Sequence, residues 1–579
     1  MDFNERAKKC LFDFDFDFES EAKIEKINQK YQLRKKHNQN KIMEIRKKRI
    51  FLLNQNKNNN TLNNEVKLEE KTLLDISDIT VNIPLLNKIS QENVKLILEY
   101  LNSDNFENIK WVIYSLRIYF EKSEPKLDEY LILFKYKIHL YFENLLKKYA
   151  NTIYIINEIL FIIANLFSFD EIINKYPENY FSFFLNDYYI SFYQKCFELG
   201  EEELIVSVFL TLENILLGKN SLIKKIFKEK EFIQSILGII NEREMNLDLL
   251  INFIKFFQII MNGIKDDYIQ DKSLFYSIFT RVYFIYKLCD KINLDIIKGI
   301  FIIIINAFDC KYQDKNSDEN NLMMNYLFED EILDENQSID ILFVHYIFSS
   351  LYNNPNFYLI NDEMLYISLV FLELITDNCY FFEINEIITC QAYKFFEILN
   401  NYFKYHIEIN KLNNQKVSNL IIQLLKISNN IIDSGLIFAQ KLVITEFFQN
   451  LIIYFRNNLS NKNIVEKFLD TFYRLLGHED KIIADNLFKR GILYDGIFCQ
   501  LLINCNNYDC CFNEEMILKM IKIISRYFII VFDTKQENKF SREDMVFGSI
   551  FKEFITNTNI ISEGNKECIF NLEYMKLLK

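Results

Sequence analysis

Glycine and proline, the residues that make tight turns, supply only 11 and 4 of the 579 residues, and the prolines stand at 84, 125, 177 and 355. Sheet-rich folds and doubly wound α/β enzymes depend on both for turns and phosphate loops, so their scarcity favours helices joined by short polar connections. The abundance of Phe, Tyr and Ile would by itself suit strands. The apolar residues recur at helical rather than alternating spacing, however, and the bias is read as one applied to helices. With 50% hydrophobic and 25% charged residues, the chain buries far more than one ordinary core, which excludes collagen-like, disulfide-scaffold and wholly disordered classes.

Charge divides the chain. Residues 1–60 hold 15 Lys or Arg against 9 Asp or Glu, and the remainder holds 52 against 71, so a basic head precedes an acidic body within a net charge of -13. The acidic excess argues against direct nucleic-acid binding and for basic partners. Eleven scattered cysteines read as reduced thiols of the cytosol or nucleus. Apolar runs such as Ile296–Ala307 and Ile153–Phe169 are too short or too interrupted to span a membrane, and no secretory segment is recognised.

The basic head, 1–57, opens with the alternating run Phe12-Asp13-Phe14-Asp15-Phe16-Asp17-Phe18. It continues as a stretch carrying Arg34-Lys35-Lys36 and Arg46-Lys47-Lys48-Arg49 beside a thin stripe of Ile24, Ile27 and Tyr31. From 22 to 57 there are 12 basic residues and two acids, a pattern that suits a helix lying in a partner's groove. An Asn-rich linker, 58–75, follows, with too few apolar residues to fold. The body, 76–534, reads as helix after helix, and 535–579 as capping helices.

Repetition organises the body. Phe161-Ile-Ile-Ala-Asn165 and Leu210-Thr-Leu-Glu-Asn214 lie 49 residues apart, Gly263 echoes Gly218 at 45, and a later echo ends at Asn429. Periods of 40 to 50 residues built from two or three helices are the mark of armadillo or HEAT arrays. The expected fold is therefore all-α, an armadillo-repeat right-handed superhelical solenoid of about ten units. The stretch 309–337, rich in Asn, Asp and Glu, reads as an insertion.

Motifs for catalysis are missing. No GxGxxG, Walker loop, HExxH, GxSxG or kinase set occurs, and Gly218-Lys219-Asn220-Ser221 reads as a helix stop followed by a helix cap. The five histidines are widely separated, and Cys499, Cys505, Cys510 and Cys511 lack the paired spacing of zinc knuckles. No enzymatic activity, metal or cofactor is expected.

One stretch carries a likeness. Ser103-Asp104-Asn105-Phe106 through Arg117 to Pro125-Lys126-Leu127-Asp128-Glu129 resembles the first armadillo repeat of the importin alpha family, the adaptors of nuclear protein import. The head, with Arg34, Lys35, Lys36, Arg46, Lys47, Lys48 and Arg49 ahead of Leu52 and Leu53, resembles that family's importin-beta-binding segment. The resemblance implies an adaptor that shuttles between cytoplasm and nucleus, with importin beta, proteins bearing basic localisation signals and a recycling export receptor as partners. It also implies a cargo-peptide site at Phe161, Asn165, Leu210 and Asn214. There the family pairs a Trp with an Asn four residues later; here Phe161 and Leu210 replace the Trp, and Ile259 and Glu373 stand nearest the next Asn positions. The sole tryptophan, Trp111, is expected in the core of the first repeat. Asn54-Gln55-Asn56-Lys57 replaces the basic cluster by which the family fills its own groove, so the resemblance implies weak autoinhibition.

Overall fold

The computed structural model describes residues 88–534, apart from intervals of which the longest are 169–177, 328–342, 490–497 and 502–513, together with residues 552 and 556. The basic head and the linker, the 535–579 cap apart from 552 and 556, and the four clustered cysteines between 499 and 511 lie outside the described residues. Helix contacts divide the chain into two compact units, 1–265 and 266–579.

The first unit contains α1 (Gln91–Leu101), α2 (Phe106–Lys122), α3 (Leu127–Lys135), α4 (Ile138–Lys148), α5 (Ile153–Leu166), α6 (Glu178–Ser182), α7 (Asp187–Leu199), α8 (Glu202–Leu216), α9 (Asn220–Lys228), α10 (Lys230–Ile239) and α11 (Leu247–Ile264). Its longer helices α2, α5, α8 and α11 pack one against the next as the rungs of a row. A second layer pairs α1 with α4 and α7 with α10. The sequence IYIINEILFIIANL makes α5 apolar on nearly every side, and it is buried along almost its whole length, as a helix with neighbours all round must be.

Few glycines are needed to separate these helices, because Asn, Ser, Thr and Asp do the capping. Ser90 accepts from Asn93 N at 3.3 Å, Asn186 from Tyr189 N at 3.0 Å and Asn293 from Ile296 N at 3.0 Å. Gly200, at φ 68, ends α7 in the left-handed conformation that glycine adopts without strain. One boundary has no such signal. The apolar stretch 127–148 is broken into α3 and α4 at Lys137, which takes φ 57 although it is not glycine.

Between the layers, Trp111 is buried and meets Tyr100 edge-on at 5.4 Å between centroids, as expected for the core of the first repeat. Phe134 stacks on Tyr180 at 4.6 Å, and the His139 ring stacks on Phe183 at 4.2 Å. Burial pulls the His139 pKa below its ordinary value, assisted by Lys137 and opposed by Glu143. Cys196 is a buried thiol pushed up to about 12, which keeps it protonated and inert.

Gly263 of α11 lies tightly against Ile223 of α9. A Cβ there would lie 2.7 Å from Ile223 Cγ2 and 2.8 Å from Ile223 Cβ, inside van der Waals contact. Gly263→Ala should therefore destabilise the first unit by about 1–3 kcal/mol despite the better helix propensity of alanine. Denaturant unfolding measures this, and Ile223→Ala in the same chain should recover part of the loss; a stabilised G263A protein would show that the contact is not tight.

Among the described residues, α11 alone is long and apolar enough to cross a bilayer by length and composition. Its Phe253, Phe256, Phe257, Ile260 and Met261 are instead fully buried in this unit, against neighbours that include α8 and α9. It is a rung of the row.

The second unit contains α12 (Lys272–Cys289), α13 (Leu294–Ala307), α14 (Phe343–Asn353), α15 (Asp362–Asn378), α16 (Phe395–Ile409), α17 (Asn414–Asp433), α18 (Leu436–Val443), α19 (Glu446–Asn457), α20 (Lys462–Gly477), α21 (Lys481–Lys489) and α22 (Glu514–Thr534). The same logic holds, with α13, α15, α17, α20 and α22 as successive rungs and α14, α16 and α19 beside them. Phe301 meets Phe371 at 5.2 Å between α13 and α15, and Phe455 stacks on Phe468 at 4.2 Å between α19 and α20. A buried hydrogen bond of 2.6 Å from the Tyr402 hydroxyl to Ser368 Oγ ties α16 to α15.

Within the expected insertion, Lys311–Tyr312 and Asn320–Asn321 pair antiparallel as β1 and β2, the only strands among the described residues. The chain then docks back on α12, where buried Tyr326 packs against Phe279 at 5.6 Å and Tyr276 at 5.3 Å.

Candidate functional site: the row of long helices

Phe161 and Asn165 sit on α5, and Leu210 and Asn214 on α8, the neighbouring rung. The repeat echo is thus a true register: Thr211 Oγ1 donates to Leu160 O at 3.1 Å and Asn214 Nδ2 to Ala164 O at 2.9 Å, across 51 and 50 residues. All four candidate residues are buried, at 5%, 6%, 5% and 8% exposure in chain order.

Both amides are engaged inside the protein. Asn165 Nδ2 donates to Phe161 O of its own helix at 2.8 Å. Asn214 reaches Ala164 in the last turn of α5, where it gives that carbonyl a second donor beside the 3.3 Å bond from Phe167 N. It thereby caps the preceding rung from the following one. The second unit uses the same device: His478 Nε2 lies 2.9 Å from Ile432 O, in the last turn of α17. The later asparagine echo is shifted by one residue. Asn430, rather than Asn429, crosses between rungs, donating to Glu373 O and Thr376 Oγ1, each at 3.3 Å.

Phe161 has a cation on its face. The Arg117 guanidinium, from α2, lies 5.6 Å from the ring centroid, and its Nη1 is 3.4 Å from Glu158 Oε1, one turn before Phe161 on α5. The Glu158 side chain is 0% exposed and that of Arg117 12%. Comparable ties recur along the second row. Lys426 pairs with Glu373 at 3.5 Å, Arg474 with Asp433, and Lys519 with Asp470. Arg526 lies 4.1 Å over the Tyr473 ring while donating to Tyr473 O and to its hydroxyl, each at 3.2 Å. Sequence reasoning noticed Arg117 as a motif residue and missed these partners, because a contact across 41 residues leaves no local spacing to count.

Toward solvent, α22 presents Glu515, Lys522 and Ile529, a surface of mixed charge and apolar character. Among the described residues no group of three or more His, Cys, Asp or Glu is placed to hold a metal ion.

No known family's sequence model and no curated protein matches the chain. Solved structures do. An engineered protein superimposes over 84% of this chain and 99% of its own, with a TM-score of 0.53 at 11% identity. A structure from a study of a phosphorylation switch between cadherin and beta-catenin covers 84% of this chain and 95% of its own, with a TM-score of 0.45 at 9% identity. A designed armadillo repeat protein in complex with the peptide (KR)4 covers 40% and 84%, with a TM-score of 0.31 at 15% identity. At these identities the likeness concerns the fold alone. The chain has an all-α, helix-stacked architecture of the armadillo/HEAT type, in which each rung covers the apolar face of the one before.

Proposed function

We propose that the protein is a non-enzymatic, protein-binding scaffold of the armadillo type. The observation that carries this reading is the row itself: in each unit, long helices stacked one on the next make an array of side chains on repeated elements. Interaction surfaces of this kind need no pocket and no titrating group. Purified partners are expected to bind the intact chain at micromolar affinity or better and to lose most of that affinity when Glu515 and Lys522 are both reversed in charge. Isothermal titration measures this, and binding that ignores the exposed faces of the rungs counts against the reading.

A more specific reading, an import adaptor resembling importin alpha, is favoured by the basic head, with its net positive charge of 10 over 22–57. Such a segment can be wrapped by an acidic partner through many charge-assisted contacts. On this reading Arg34, Lys35, Lys36 and Arg46 to Arg49 bind importin beta, basic localisation signals lie along the row near Phe161, Asn165, Leu210 and Asn214, an export receptor recycles the chain, and the protein shuttles between cytoplasm and nucleus. Neutralising Arg46, Lys47, Lys48 and Arg49 together in the full chain should reduce capture on immobilised importin beta at least tenfold. Undiminished capture, or none by the unaltered chain, removes the adaptor reading and leaves the scaffold. The engagement of both asparagine amides inside the protein favours the broader reading.

A further inference from the structure

Phe161 and Glu158, one turn apart on α5, together form a site for a cation: an aromatic face beside a carboxylate removed from solvent. That site already has an occupant. We propose that Arg117 is a built-in ligand of this slot, which closes the α5 rung to the Arg or Lys side chain of a bound peptide and opens to a guanidinium cation when Arg117 is removed.

Three observations carry the assignment. The guanidinium meets both walls at once, with Cζ 5.6 Å from the Phe161 centroid and Nη1 3.4 Å from Glu158 Oε1. Its side chain is only 12% exposed, so it is packed into the slot rather than extended over it. The second unit independently shows a guanidinium packed on an aromatic face of a neighbouring rung, with Arg526 of α22 over Tyr473 of the preceding rung and donating to two of that residue's oxygens. A tethered side chain has an effective concentration in the millimolar range or above. A peptide side chain at micromolar concentration competes with it poorly, so Arg117 acts as a specificity determinant against basic ligands at this rung. The slot can be tested with a small cation and no peptide, so its failure is separable from failure of the peptide-binding reading.

Arg117→Ala keeps Cβ and removes what ethylguanidinium replaces. Trp111, the sole tryptophan, lies on the same helix, so its emission reports unfolding of this rung in the full-length chain. Arg117→Ala should lower the Trp111-reported melting temperature. Low-millimolar ethylguanidinium should raise it by about 2 °C or more in the variant and leave the unaltered protein unmoved. Neutral ethylurea should do nothing, and adding Glu158→Gln should abolish the rescue. Equal shifts in variant and unaltered protein, or no shift in the variant, would overturn the proposal. If Arg117→Ala does not fold, a double-mutant cycle of Arg117→Gln with Glu158→Gln decides the matter. The second substitution should lower the melting temperature of the unaltered chain but not that of Arg117→Gln, and simple additivity would overturn the assignment.

Discussion

Phe256→Ala should cost the first unit about 3–5 kcal/mol, the range for deleting a large aromatic from a core that cannot collapse around the space. Phe256 is fully buried on α11, edge-on to Phe257 at 5.3 Å and 5.7 Å from Phe209 on the preceding rung. Its ring therefore belongs to the joint between two rungs. In a stacked array, stability is approximately the sum of repeat terms and nearest-neighbour joints. Losing a joint should thus release α11 and the α9 helix packed beside it before it affects α2 and α5. Hydrogen exchange would show protection lost first in α9 and α11, with Trp111 emission on α2 unchanged over the same denaturant range. A single transition in which Trp111 moves with α11 would mean that the four rungs unfold as one block.

The architecture was readable from the sequence for a physical reason. A helix buried on most of its sides, such as α5, must be apolar on most of its sides, and a chain of such helices that is poor in Gly and Pro can do little but stack. The 49-residue echo was equally visible, because the same rung-to-rung contact selects the same residue types each time. The α3–α4 break was invisible, since it turns on Lys137, a residue with no intrinsic liking for positive φ. The β1–β2 hairpin was hidden by its length of two residues per strand.

The candidate site was legible in position and less so in chemistry. Phe161, Asn165, Leu210 and Asn214 do fall on adjacent rungs in one register. What their side chains touch depends on Arg117, on the preceding rung, and on which backbone carbonyl at the end of α5 the Asn214 amide reaches, and no local pattern encodes either. The one-residue shift from Asn429 to Asn430 has a similar origin. The bonds there run from Asn430 to Glu373 O and Thr376 Oγ1, across 57 and 54 residues, contacts that no local spacing records.

Asn214 should matter to the array itself. Its amide supplies a donor to Ala164 O, which otherwise receives a 3.3 Å bond from Phe167 N. Asn214→Ala should cost about 1–2 kcal/mol, and the double substitution with Asn165→Ala about 2–3 kcal/mol, because each removes a buried amide together with its hydrogen bond. A groove that reads peptide backbones would instead put that cost into binding. Fluorescence anisotropy of a labelled basic peptide, titrated with the full-length chain and with the Asn165→Ala/Asn214→Ala variant at two salt concentrations, therefore tests the central claim most directly. With both amides engaged inside the protein, the variant should melt at a lower temperature while any peptide affinity changes less than twofold. A tenfold or greater loss of peptide affinity in a variant whose melting temperature is unchanged would contradict it.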